Sequence, residues 1–342
     1  MRGRIVTIAV GIAAVAALIA VPAALAAYTS PTLRVTPAAS GMTITASLSP
    51  DDDPTASVRI FAPTGTQLTT SQAPGTVLGP VRALVKALDL AGADLPLEGQ
   101  LVVAAPGQVP VEAQAACLQG APAMATWVMV LSAAGQTLNV PAYLVATTGT
   151  PFAALGPAYI QVCLPPPDVP AGTPGRATFG AKLYSAQLTV NGVFSRVAVG
   201  AWVSFWTPYN PGVGSVNVAA TVASPAAIAP GAVTVTARIR GRGAIVAGRV
   251  TQAGQARGAA TATILGGPRR TGLRRLGRAQ VRANGTFSFT ARTGTFFRVR
   301  VVARPGTAAP LCAQLAPALG VPCVNPTVTG FTAQSRVVPK RR

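Results

Sequence analysis

Five arginines fall within ten residues in the run Arg269-Arg270-Thr271-Gly272-Leu273-Arg274-Arg275-Leu276-Gly277-Arg278. A guanidinium is a planar fork of donors that matches phosphate or carboxylate oxygens two at a time. No Asp or Glu lies near these five in the chain, so their charges add to a positive field that draws in a polyanion. The run marks Arg269, Arg270, Arg274, Arg275 and Arg278 as a candidate polyanion-binding site. An anionic cell-wall polymer, an acidic polysaccharide or lipid head groups are the partners this chemistry suits. The competing use is solubility: 25 arginines against 3 lysines, with abundant Ala, Gly, Pro and Val, is what GC-rich coding produces, and arginine is then the default surface charge. Sequence-specific nucleic-acid binding is not expected, because no recognition helix, zinc finger or aromatic stacking platform accompanies the run.

Trp202, Trp206 and Tyr209, with Phe205 among them, crowd the stretch Ala201-Trp202-Val203-Ser204-Phe205-Trp206-Thr207-Pro208-Tyr209. Flat rings beside polar groups stack on the apolar faces of sugars, which makes these three a candidate carbohydrate-binding surface. Large rings are equally the fillers that a β-sandwich core needs. Strand alternation puts Trp202 and Trp206 on one face and Phe205 on the other, so one set is expected inside and the other outside. Asp51-Asp52-Asp53 offers hard oxygen ligands for calcium, but without the D-x-D-x-D-G register it reads as a solvated turn. There is no histidine in the chain, which excludes Ser-His-Asp and Cys-His catalysis and histidine-ligated zinc. No S-x-x-K arrangement surrounds Lys86, Lys182 or Lys340. A carboxylate-dependent hydrolase is left as the catalytic alternative, drawing on Asp51 to Asp53, Asp89, Asp94, Glu98, Glu112 and Asp168. Nothing singles out a nucleophile, and the expectation is a protein that is not an enzyme and that uses neither metal nor cofactor.

Four cysteines, an even number, fit an oxidising compartment. Cys117 and Cys163 lie in the first half and Cys312 and Cys323 near the end, so Cys117 with Cys163 and Cys312 with Cys323 is the simplest of the three connectivities. A four-thiolate metal site would need C-x-x-C spacing, which is absent. At the N-terminus, Arg2 and Arg4 precede an uncharged, mostly apolar stretch from Ile5 to Ala26 that ends in Ala24-Leu25-Ala26, the small-x-small pattern of a cleaved secretory signal. An uncleaved anchor is the alternative, because about 20 apolar residues span a bilayer. Pro22 and the polar Tyr28, Thr29 and Ser30 favour cleavage. Residues 1–26 are therefore expected to be a signal peptide, and the product to be secreted or associated with the cell envelope, with no further transmembrane segment.

These groups need elements to position them. A chain of 342 residues with 50% hydrophobic and 11% charged side chains suits about two globular domains and is too apolar for disorder. Its net charge of +20 is segregated. From 27 to 225, Arg34, Arg59, Arg82, Lys86, Arg176, Lys182 and Arg196 face all eight acids, giving 7 − 8 = −1, while the 19 remaining basic residues after Pro225 meet no acid at all. Ser224-Pro225 and Pro230-Gly231 mark 222–231 as a linker between a β-rich domain over 27–221 and a second over 232–342. The expected fold class is all-β: two β-sandwich-like domains after an N-terminal signal helix.

In the first domain, Met42 to Leu48, Ser57 to Phe61, Thr126 to Leu131, Thr137 to Val145, Tyr159 to Leu164, Ala181 to Val190 and Val193 to Phe205 read as strands, the last two joined by a hairpin at Asn191-Gly192. Val81 to Leu90 fits a helix or a strand equally well. Leu164-Pro165-Pro166-Pro167 reads as an extended surface connection, since prolines supply no ladder donors. In the second domain, Val233 to Arg240, Ala244 to Thr251, Ala260 to Leu265, Ala279 to Ala283, Thr286 to Thr290, Phe296 to Val302 and Thr327 to Val337 give seven strands at sandwich spacing, with a hairpin at Asn284-Gly285 and the arginine run between strands.

The second domain carries a longer phrase: Ile245, Gly248, Val250, Gly254 and Ala259, then Gly277-Arg278-Ala279, Asn284-Gly285-Thr286-Phe287-Ser288-Phe289 and Gly294-Thr295-Phe296. This phrase resembles the carboxypeptidase regulatory-like, transthyretin-like Ig-type β-sandwich modules of secreted bacterial proteins. The resemblance implies a sandwich that serves as a structural spacer or as an adhesion and binding unit. The chain departs from that pattern at its arginine-rich insert. The first domain carries no family motif.

Overall fold

The computed structural model of the chain describes residues 28–29, 31–133, 135–196, 200–227, 232–240, 243–252, 255–307 and 309–341. The expected signal peptide, and residues 228–231 of the expected linker, lie outside these.

Period-two burial builds the first unit. In Gly41–Ser47, Met42, Ile44 and Ala46 are buried while the residues between them are partly exposed, the signature of a strand with one face on a core. In chain order the strands are β1 (Thr32–Pro37), β2 (Gly41–Ser47), β3 (Thr55–Phe61), β4 (Gln67–Leu68), β5 (Val77–Ala87), β6 (Ala93–Val103), β7 (Ala123–Ala133), β8 (Gln136–Ala146), β9 (Ala158–Cys163), β10 (Ala181–Asn191), β11 (Phe194–Arg196), β12 (Ala201–Pro208) and β13 (Val222–Ala227), with helix α1 (Val111–Leu118) between β6 and β7. The ambiguous Val81 to Leu90 segment is a strand as far as Ala87. Val81, Ala83, Val85 and Ala87 face inward, and β5 is paired on both sides, by β6 and β10.

Eleven of these strands form one antiparallel sheet in the order β1-β2-β10-β5-β6-β7-β8-β9-β3-β12-β13. The sheet rolls until β1 lies against β12 and β13, so its two ends meet in a near-closed barrel. The all-β class holds, but the opposing layers of this unit belong to a single rolled sheet instead of two facing ones. Trp127, Trp202 and Trp206 are all inside. Phe194 packs edge-on to Trp202, with ring centroids 5.0 Å apart, and helps to plug one end. Part of the outer surface is covered as well: Phe61, Tyr143, Val145, Tyr159, Val203 and Phe205 are buried beneath Leu118 of α1, the Phe152 ring and a helix from the second half, α2 (Ala309–Leu319).

The second half continues as β14 (Ala232–Arg240), β15 (Gly243–Gln252), β16 (Gln255–Ala256), β17 (Ala260–Gly267), β18 (Arg274–Gln280), β19 (Thr286–Ala291), β20 (Phe296–Ala303), β21 (Gly306–Thr307), β22 (Thr327–Val328), β23 (Phe331–Gln334) and β24 (Val338–Pro339), with α2 between β21 and β22. A sheet of β14, β15, β16 and β19 faces one of β18, β17, β20, β23 and β24, and Val246, Ile264, Phe287, Phe297 and Val299 fill the space between. Gly248 is required there: a Cβ would come within 2.0 Å of the Thr234 carbonyl oxygen and 2.7 Å of the Phe287 ring.

The expected boundary is corrected in two ways. Val222–Ala227 is strand β13, paired along its whole length with β12, so six of the ten expected linker residues belong to the barrel. Pro225 is tolerated because the other side of β13 is bridged at Ala223, by Cys323, and again at Ala226 and Ala227, by the parallel β22, with no pairing at Pro225 itself. The stretch 306–328 also leaves the sandwich: β21 and β22 extend the barrel sheet, and Leu315 and Leu319 of α2 pack on its outer face. Disulfides secure both coverings. Cys117–Cys163, with an S–S distance of 2.02 Å, ties α1 to β9, and Cys312–Cys323, at 2.08 Å, ties α2 to the segment that bridges Ala223 of β13.

Both expected hairpins turn locally without pairing the strands they join. After Asn191-Gly192, β10 is paired with β2 and β5, while β11 pairs with β4. Val193 and Phe194 are buried at the barrel end, and that burial sends the chain away from β10. Asn284 Oδ1 accepts from the Thr286 amide at 3.1 Å, yet β18 pairs with β17 and β19 with β15, so the turn carries the chain from one sheet to the other. The expected Val193 to Phe205 strand is divided into β11 and β12, and its residues 197–199 are outside the described set.

Cys312→Ser with Cys323→Ser is expected to cost about 3 kcal/mol, the loop-closure entropy of an 11-residue separation. Hydrogen exchange should then accelerate first in β13 and α2 of the barrel and not in β17 of the sandwich. The opposite order would return 306–328 to the second unit.

Candidate functional site

The arginine run is an edge strand and the turn before it. β18 begins at Arg274, five residues before the expected strand at Ala279, and so takes three of the run's arginines into a ladder with β17. Arg275 registers with Leu265 and Arg278 with Thr263; on the other side of β17, Leu265 registers with Arg298 of β20 and Thr263 with Arg300. Residues opposite one another in adjacent strands share a face. Four arginines therefore stand on the outer face of one sheet, in two rows across three strands. Strand spacing sets the grid at about 10 Å across and about 7 Å along.

Arg270 joins them from the turn, its guanidinium carbon 5.6 Å from the centroid of the Phe296 ring, and Phe296 registers with Gly267 on the same face. Arg270, Arg275, Arg278 and Arg300 are exposed, while Arg298 is half-buried with an Nε that has no hydrogen-bond partner among the described residues. Arg269 is exposed in the turn. Arg274 is exposed too, but registers with the inward Gly266 and leaves at the rim. The run thus divides: Arg270, Arg275 and Arg278 lie on the face, with Arg269 and Arg274 at its edges. Reading the run alone missed Arg298 and Arg300. The alternation Phe297-Arg298-Val299-Arg300-Val301, with valines inward, carried that signal.

Arg257, in contrast, serves the fold. It is 5% exposed, its Nε donates to Gln252 Oε1 at 3.0 Å, its Nη1 to the Gly258 carbonyl at 3.0 Å, and its Nη2 to the Arg304 carbonyl. Burial pushes its pKa down, and three of its five N–H donors are given to the fold on a side chain with almost no exposure.

The expected carbohydrate surface is not a surface. Trp202 and Trp206 are 0% and 1% exposed, and Trp206 Nε1 donates to Ser204 Oγ at 3.0 Å inside the barrel. Tyr209 is buried, its hydroxyl donating to the Leu164 carbonyl at 2.6 Å. Alternation divides Trp202 and Trp206 from Phe205 as expected, but both sets are inside because β12 has the barrel core on one face and the α1–α2 covering on the other. No sugar can stack on rings so placed.

Four of the candidate carboxylates, Asp52, Asp89, Asp94 and Glu98, are taken up locally, and Asp168 accepts from the Gly212 amide at 2.7 Å. Asp52 is buried and accepts from the Thr29 amide at 2.9 Å, the Thr29 hydroxyl at 2.6 Å and the Ser49 amide at 3.2 Å, so it fastens the start of the barrel chain instead of offering oxygens to calcium. Among the described residues no cluster of three or more acids, cysteines or histidines suits a metal. Asp94 accepts from Lys86 at 2.8 Å and from the Tyr184 hydroxyl at 3.0 Å, and Glu98 lies 3.5 Å from Arg82. Asp89 takes both terminal nitrogens of Arg176, at 2.6 and 2.7 Å, while Arg176 Nε donates to the Val169 carbonyl at 2.7 Å. That last set clasps the 164–180 segment to the turn after β5.

No known protein family, curated protein or solved structure matches the chain.

Trp202→Ala is expected to lower unfolding free energy by about 3–5 kcal/mol, the usual cost of emptying a buried aromatic site, in urea titrations. Hydrogen bonding by Arg176 holds the Asp89 carboxyl below its ordinary value of 3.8. The clasp is therefore fully stabilising above 3.8 and is lost as pH falls through the lowered value. Amide exchange over 164–180, corrected for its intrinsic pH dependence, should rise below that point, and Asp89→Asn should raise it at neutral pH. Unchanged protection in Asp89→Asn would show that the clasp does not hold the segment.

Proposed function

We propose that the protein is an exported, non-catalytic component of the cell envelope that binds anionic polymers through the sheet face bearing Arg275, Arg278, Arg298 and Arg300. The observation that carries this reading is the face itself: two rows of guanidinium groups drawn from separate stretches of sequence, on a unit with no Asp or Glu after Pro225 to neutralise them. A grid of forked donors suits phosphate or carboxylate groups repeated along a chain, and charges of one sign gathered on one face orient the contact as well as strengthen it.

The rest of the chain supports export. The N-terminus has the pattern of a cleaved signal, two disulfides suit an oxidising compartment, and no helix among the described residues is long and apolar enough to cross a membrane. The resemblance of the second unit to regulatory-like sandwich modules points the same way, to a binding or spacing role. Arginines on the edge strand β18 also keep it from pairing with another chain, a role that needs no ligand and that Arg298 and Arg300, on the interior strand β20, do not share.

Retention on heparin-agarose and on immobilised polyphosphate is expected to fall steeply with salt, since each anionic contact contributes roughly 0.7–0.9 to the slope of log affinity against log salt. Replacing Arg275, Arg278, Arg298 and Arg300 by serine should flatten that slope by about 3. A matched variant with Arg238, Arg240, Arg249 and Arg292 changed to serine removes the same charge from elsewhere on the unit. If it weakens retention equally, net charge and not the face accounts for binding.

A further inference from the structure

The barrel interior offers a second site of different chemistry. An eight-stranded barrel is filled by its own side chains or holds one small ligand. This sheet rolls eleven strands, and its interior must accommodate more. The filling is uneven. Trp127, Trp202 and Phe194 occupy one end. Toward the other end lies a cavity of about 280 Å³, walled by Val58, Ile60, Val81, Met129, Leu131 and Leu188. These six are inward residues of β3, β5, β7 and β10, and they belong to one apolar core. The cavity is nearly twice the size of a 150 Å³ hydrocarbon-lined void that stays dry and binds benzene.

The segment 164–180 covers the open end with Leu164, Pro165, Pro167, Ala177 and the side chains of Arg176 and Thr178. Pro165 and Pro167 have no amide to present, so the cover is apolar toward the interior. Polar side chains enter the lining at Thr55, Asn139, Arg176 and Thr178, and Arg176 is already spent on Asp89 and the Val169 carbonyl. Water deeper in would find few partners.

We propose that this cavity binds a single aliphatic acyl chain, tail inward and polar end at the Thr178 mouth beneath the 164–180 segment. An aliphatic wall along the strand direction favours a flexible chain over a flat polar ring, and a mouth whose one guanidinium is neutralised by Asp89 recognises the chain rather than a charged head. The chain arrives either as a free fatty acid or on a membrane lipid. This site is independent of the arginine face.

The test uses the full mature chain and dansyl-undecanoic acid, whose fluorescence should rise saturably and be reversed by decanoate and, within about threefold, by decanol. Ala83 and Ala186 line the cavity and register with each other across β5 and β10. Ala83→Leu with Ala186→Leu should weaken probe binding at least tenfold while leaving the circular-dichroism melt and heparin retention in place. If that variant does not fold, Asp89→Asn supplies the second readout: releasing the cover should speed probe association severalfold. Incubation with phosphatidylglycerol vesicles, followed by re-isolation and mass spectrometry, separates the sources, since lipid recovered on the protein identifies the acyl chain of a membrane lipid and displacement by decanoate without lipid uptake identifies the free acid. No saturable probe binding, or undiminished binding by a folded cavity-filled variant, would overturn the proposal.

Discussion

Burial of β12 and β3 on both faces is the constraint from which most of this architecture follows. Their inward residues, among them Val58, Ile60, Trp202 and Trp206, fill the barrel, and their outward residues, Phe61, Val203 and Phe205, are apolar too. A sheet with water on one side would leave that second set exposed. The chain answers with α1 and α2 laid over the outside, each fixed by a disulfide, and with the Phe152 ring packed against Phe61 and Phe205 at centroid distances of 5.4 and 5.8 Å. Arg59, which registers between Phe205 and Gln161, is caught beneath this covering, its guanidinium 5.4 Å from the Phe152 ring centroid. Desolvation lowers its pKa.

The covering cannot be supplied locally. α2 (Ala309–Leu319) comes from beyond most of the sandwich, so the first unit is completed by residues far along the chain from its strand β13, which ends at Ala227. Contacts of such sequence separation form late, because loop closure must be met before they contribute. The covering of the barrel is therefore complete only once the chain extends through Leu319, beyond most of the sandwich.

Much of this was legible in the sequence, and the failures have a common cause. Met42 to Leu48 read as a strand because its alternation is set by one buried face, and the sandwich strands from Val233, Ala244, Ala260 and Phe296 read clearly for the same reason. β12 was recognised as a strand with its faces correctly divided, but nothing in nine residues says that both faces will be covered, since the cover lies at Cys117 and Leu319. Asn191-Gly192 and Asn284-Gly285 identified real turns, whereas pairing depends on which sheet each strand completes. Ser224-Pro225 and Pro230-Gly231 read as linker chemistry over 222–231 because a short apolar run carries no sign of the partner strand that makes Val222–Ala227 part of the sheet. On the arginine face the run itself was conspicuous, while Arg298 and Arg300 belong to it only through the β17 register that brings them alongside.

The excursion of 306–328 gives the molecule three chain crossings between its units: once after β13, once before β21 and once after β22. A sandwich held on a polymer and a barrel held elsewhere would share tension through parallel paths instead of a single thread. The Cys312–Cys323 link closes the loop that lies on the barrel side. Load on the sandwich would then reach β13 and β22 together, because the two strands run parallel and both continue into the sandwich from their C-terminal ends. The units are thus spliced by three stretches of backbone instead of being hinged on one.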